Sequence, residues 1–173
     1  MQKIAEVWNS HDEKEWHNAL GAYWGYVKPR LFILEKELDS LEINTIINMD
    51  ERDWYDFLHD KYFVWKYTAP NRLRTTRQQL ERYKDSLDQL FEIKRKLLLF
   101  NADNILKGLE IAKNIKGLGV AGASGLLAVM FPRKFGTVDQ FIVKALCELP
   151  KYKGWILNIN PENIKLSEAV KLI

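Results

Sequence analysis

The sequence predicts an all-α fold, an irregular helical bundle, on three observations. Apolar residues recur at helical spacing through most of the 173 residues. No run alternates apolar and polar residues between turn signals, so strands are not expected. Gly and Pro stand singly at places that read as helix ends, with no internal repeat, linker or low-complexity segment between them. The expectation is one domain over residues 1–173, either undivided or in two lobes.

Taken in order, the first helical face is offered by Ala19, Tyr23, Tyr26 and Val27, and the chain continues or restarts through Pro29 as a helix over 30–41. Asn44 or Thr45 is placed to cap a short turn. Asp50, with Asp53 three residues on, marks the start of a helix over 51–67, whose Trp54, Phe57, Leu58 and Trp65 fall near one stripe. Pro70-Asn71 breaks it. Helices follow over 75–83 and 87–100, then one capped at Asn101 or Asp103 that runs to about residue 114. Gly117 and Gly119 interrupt, a helix resumes over 120–130, and Pro132 ends it. Thr137 or Asp139 caps a helix to Leu149, and 161–173 supplies a last one.

Composition bounds the class. Hydrophobic residues at 47% and charged residues at 28% are globular proportions, and the chain is long enough to bury a core. No apolar run approaches the roughly 20 residues of a membrane span. Met1-Gln2-Lys3-Ile4-Ala5-Glu6 lacks the apolar stretch of a secretory signal, so the cytoplasm is the expected compartment. Cys147 is the only cysteine, which excludes an internal disulfide, a Cys-rich zinc site and a four-cysteine cluster, and it reads as a small buried residue. His11, His17 and His59 show no metal-ligand spacing. A net charge of +3 permits a nucleic-acid partner without requiring one, since a local patch counts for more than the total.

The informative stretch is Ile115-Lys116-Gly117-Leu118-Gly119-Val120-Ala121-Gly122-Ala123-Ser124-Gly125. A helix that ends in Gly-hydrophobic-Gly and restarts at once needs a tight turn, for which Gly117 and Gly119 can adopt positive φ. Their neighbouring amides open the next helix, where unpaired N–H groups and the helix dipole both favour an anion such as phosphate. Lys113 and Lys116 add charge beside that turn. The small residues from Ala121 to Gly125 allow the two helices to approach closely. Downstream runs Phe131-Pro132-Arg133-Lys134-Phe135-Gly136-Thr137-Val138-Asp139.

With these two parts together, roughly residues 103–146 resemble the helix-hairpin-helix DNA glycosylase superfamily. Its pattern is Gly-hydrophobic-Gly, a small residue four positions on, then a loop reaching Val-Asp at a helix start. Here those are Gly117, Leu118, Gly119, Ala123, Val138 and Asp139. The resemblance implies double-stranded DNA as partner, held by Gly117, Gly119 and Ala121 of the hairpin with Lys113, Lys116, Arg133 and Lys134. It implies Asp139 as the carboxylate that stabilises charge on the sugar while the N-glycosidic bond breaks, in base excision repair. It implies a pocket for an extruded base, with candidates Tyr62, Trp65, Tyr67, Asn71 and Arg72. No organic cofactor is implied, and a structural K⁺ or Na⁺ at the hairpin carbonyls is.

Two departures shape the expected chemistry. Lys116 replaces the family's usual proline, and Ala121 stands where bifunctional members carry the imine-forming lysine, so a monofunctional hydrolase is expected. Other readings stay open here. Asp139 after Thr137-Val138 is also a plain helix cap. Gly117 and Gly119 also suit a mere helix–helix turn, and the aromatic residues suit the core. Arg72, Arg74, Arg77 and Arg82 also suit a solvated face balanced by Glu81, Asp85 and Asp88. The rival function is a non-catalytic DNA-binding or protein-interaction module, and a third is an accessory protein of a defence or mobile-element system.

Overall fold

In the computed structural model, residues 4–173 are described, and Met1, Gln2 and Lys3, the first residues of the segment read for a leader, lie outside them. The described chain is helical throughout, with no strand among the described residues. Helices α1 (Ile4–Asn9), α2 (Glu13–Tyr23), α3 (Pro29–Asp39) and α4 (Ile43–Asn48) lead into α5 (Glu51–Asp56). Next come a π-helical segment, Phe57–Tyr62, then α6 (Phe63–Lys66) and α7 (Pro70–Leu80). A 3₁₀ turn, Glu81–Tyr83, precedes α8 (Leu87–Leu99), α9 (Ile105–Ala112) and α10 (Val120–Met130). The chain ends in α11 (Gln140–Cys147), α12 (Pro150–Ile156) and α13 (Leu166–Leu172).

The expected helix over 51–67 forms as the unbroken run of α5, the π segment and α6. The Asp50 carboxylate accepts from the Asp53 amide at 2.8 Å, and Asp53 returns the bond in a capping box. The buried pairs Trp54/Tyr55 and Tyr62/Phe63 lie eight residues apart, one more than two α-turns supply. The π segment takes up that extra residue and keeps both pairs facing inward. Each such large side chain removed from water contributes about 2 kcal/mol. The same run turns Lys66, at the end of α6, toward α10 rather than toward solvent.

Helix α10 is the central element. Gly122, Ala123, Ser124, Gly125, Leu126 and Leu127 are all buried, and the helix packs on α9 and α13. Its small residues admit neighbours that a side chain would displace. A Cβ on Gly125 would meet the Tyr62 hydroxyl at 2.8 Å and the Lys66 stem at 3.3 Å, and one on Gly122 would overlap the Tyr67 hydroxyl. On the far side of the core, α8 packs against α5 through Leu90 and Leu97. Its buried Lys94 donates to the Met49 carbonyl and to the Ile47 carbonyl at 3.1 Å, satisfying the end of α4.

Several expectations change. Tyr26 lies beyond the end of α2 and is 72% exposed, so Ala19, Tyr23, Tyr26 and Val27 form no inward stripe. Helix α7 starts at Pro70, five residues before the expected start, because proline suits the first helical turn. Asn104, not Asn101 or Asp103, caps α9, accepting from the Lys107 amide at 3.0 Å. Residues 161–165 are a loop before α13, and α12 was not expected. Cys147 is half-buried.

Candidate functional site

The connection from α9 to α10 is tight because of Gly117. Its φ of 98° lies in the region that L side chains avoid, and a Cβ there would meet the Thr76 carbonyl oxygen at 2.7 Å. Gly119 does not share this property. It sits at φ −84° in extended backbone, and a Cβ at that position would meet nothing within 4 Å, so the expectation of positive φ holds for Gly117 alone. Gly119 instead caps α10 with no side-chain oxygen, which leaves the amides of the first turn without a partner from a cap. Gly119 is exposed and Val120 and Ala121 are half-buried at the surface.

The segment after α10 is pinned back onto it. The Val138 amide donates to Ser124 Oγ at 2.9 Å, and that hydroxyl donates to the Ala121 carbonyl at 3.1 Å. Asp139 follows at once as the cap of α11: its Oδ1 accepts from the amides of Phe141 at 2.9 Å and Ile142 at 3.2 Å. Its Oδ2 faces Lys66 Nζ at 3.6 Å. The side chain is still 28% exposed, because it lines an open cleft of about 610 Å³. Gly119, Val120, Ala121 and Gly122 form one wall of that cleft, Tyr67 and Arg72 another, and the loop Pro161–Ile164 closes the rim.

Burial lowers the Lys66 ammonium from the ordinary lysine value, and the Asp139 carboxylate opposes that shift. Burial also pushes the Tyr67 hydroxyl up to about 12, with Arg72 opposing, so it serves as a donor. That hydroxyl donates to the Gly117 carbonyl at 3.1 Å and ties α6 to the turn.

The site residues expected from sequence separate into groups. Asp139, Gly119, Ala121, Tyr67 and Arg72 come together around the cleft. Lys113 and Lys116 are exposed on the turn, Lys116 resting 4.5 Å over the Tyr83 ring. Arg133 is exposed in the loop, and Lys134, also exposed, is paired with Asp103. Tyr62 is corrected as a pocket residue: it is fully buried and donates to the Gly122 carbonyl. Asn71 is exposed on the first turn of α7 and is not among the residues lining this cleft. Trp65 faces a different hollow from Tyr67.

Arg77 leaves the row of arginines, donating to the His59 carbonyl at 2.9 Å and to Asp60 at 3.2 Å. One residue went unnoticed in sequence as a site candidate, Lys66. The clue for Lys66 was a lysine set in the apolar run Phe63-Val64-Trp65, on a face that had to be covered. No family model, curated protein or solved structure matches this chain.

Proposed function

We propose that the protein binds double-stranded DNA at this cleft and acts as a monofunctional DNA glycosylase, hydrolysing a modified base from the sugar. A single observation carries the reading. A carboxylate fixed by two helix-cap amides lines the same open cleft as the uncapped first turn of α10. In this reading the α10 amides hold a phosphate, helped by the dipole and by Lys113 and Lys116. Asp139 then faces the adjacent sugar. As the C1′–N bond breaks, positive charge grows on the sugar, and the carboxylate stabilises it and accepts the proton of the attacking water. Arg72, Arg133 and Lys134 serve the flanking phosphates, the last once it leaves Asp103.

The fold named by the resemblance, a helix-hairpin-helix element at 103–146, belongs to this proposal. What supports it is the pair α9–α10 with its positive-φ glycine and the pinned Val138-Asp139. The alkali ion that the resemblance implies has little to bind in the turn. The Gly117 carbonyl already accepts from Tyr67, and the Ile115 carbonyl accepts from the Leu118 amide at 3.0 Å.

One observation favours the second reading, a DNA-binding module without catalysis: Oδ1 of Asp139 is engaged by cap amides and Oδ2 by Lys66. The test separates the two. A panel of duplexes carrying different damaged bases is incubated with wild type and with Asp139→Asn, and abasic sites are scored after alkali. Glycosylase activity is expected on at least one duplex and is lost in the variant, while DNA affinity is kept. Affinity without base release on any duplex selects the module.

A further inference from the structure

Three aromatic rings form an unbroken row where α1, α2 and α12 meet at the surface. Trp8 of α1 is its centre: the ring lies 6.4 Å from that of Trp16 on α2 and 5.7 Å from that of Tyr152 on α12. Trp16 is held in place by its indole N–H, which donates to the Ser10 carbonyl at 3.2 Å. Helical period lengthens the row on each element. Ile4 stands four residues before Trp8, Leu20 four after Trp16 and Trp155 three after Tyr152, so each shares the side of its ring. Tyr152 is half-buried and the other five are exposed, Trp8 by 43% and Leu20 by 63%. Single exposed hydrophobic residues are ordinary, but a contiguous row with three tryptophans marks a docking surface.

The two ends of the row carry opposite charge. At the α2 end, Glu13 stands three residues before Trp16 and on its side of the helix, with Asp12 next to it at the N-cap. Lys14, two residues before Trp16, falls on the opposite side by period. At the α12 end, Lys151 lies 5.3 Å over the Tyr152 ring and four residues before Trp155. Glu13 and Lys151 are both exposed, and neither forms an ion pair among the described residues. A row that is acidic at one end and basic at the other complements itself when a second copy is laid on it in the opposite direction. Rings then cover rings, and each Glu13 meets the Lys151 of the other copy. A lipid surface would call for basic residues at both ends, which the acidic α2 end does not offer.

We propose that this row is the interface of a two-fold dimer of the chain, centred on Trp8 and oriented by crossed Glu13–Lys151 pairs. None of these residues lines the cleft at Asp139, so the dimer stands apart from the glycosylase reading. The apolar centre supplies the attraction, and the charges at its rim fix the direction in which the copies meet.

The test is sedimentation of the full chain from about 1 to 100 µM, the range in which a small interface of this kind associates. Wild type is expected to pass from the 20.3 kDa chain to twice that mass. Glu13→Lys and Lys151→Glu each set like charges together at both crossings, and each should weaken self-association about tenfold or more. Mixed one to one, the two variants bring opposite charges together again at both crossings, and a mixed dimer should form about as tightly as wild type. Both substitutions fall on exposed side chains without an ion pair, and circular dichroism should show unchanged helix content. A monomer at every concentration overturns the proposal. So does a dimer that both variants leave unaltered, or weakened variants whose mixture does not recover. Binding of lipid vesicles or single-stranded DNA by a chain that stays monomeric, read as a shift in tryptophan emission, gives the row to that other occupant and overturns it as well.

Discussion

Asp139 does two jobs with two oxygens, and substitutions can separate them. Oδ1 caps α11 through two amides, while Oδ2 is turned to Lys66 and the cleft. Both Asp139→Asn and Asp139→Ala take the carboxylate away from Lys66, but Asn caps as well as Asp, so Asp139→Ala should be about 1–2 kcal/mol less stable than Asp139→Asn. Urea denaturation of the two variants measures this, and equal losses would mean that the cap contributes nothing.

Lys66 gives a pH dependence whose sign follows from its burial. The folded chain holds the Lys66 proton less tightly than the unfolded chain does, so its contribution to stability is present on the alkaline side. It rises with pH from the lowered value to the ordinary 10.5 and is lost as pH falls through the lowered value. Compared with Lys66→Met, wild type should gain in urea midpoint as pH is raised toward 10.5. A constant difference would contradict the burial of that amine.

At the scale of elements, the two glycines of the turn make opposite demands. Gly117→Ala meets positive φ and a backbone oxygen that cannot retreat, and should cost about 1–3 kcal/mol. Gly119→Ala meets neither, and should change stability by about 0.5 kcal/mol or less. Thermal denaturation distinguishes them, and a loss in Gly119→Ala equal to that in Gly117→Ala would refute the turn geometry.

The sequence carried much of this region openly, since glycine spacing and the Asp50 and Asp139 caps are local signals. What it hid was register. An extra residue in the π segment decided which of Tyr62, Trp65, Lys66 and Tyr67 faced the core, the hollow or the cleft, and periodicity alone does not report it. Tyr62 was therefore misplaced and Lys66 overlooked.

At the scale of the molecule, α10 organises the site. Its N-terminal turn opens on the cleft, and its middle accepts Lys66 where Gly125 leaves room. The small residues that read in sequence as helix-packing residues are what lets side chains from α6 reach this line. With a net charge of only +3, the proposed DNA binding rests on local donors rather than on the overall charge.

The most direct test is an amide chemical-shift map of the labelled protein titrated with duplex DNA at low salt. The amides of Gly119, Val120, Ala121 and Gly122 should shift first and furthest, together with those of Arg72 and Gln140 across the cleft, and the shifts should fade as salt is raised. Shifts confined to other surfaces, or none at these amides while the duplex is bound, would contradict the placement of DNA on the first turn of α10.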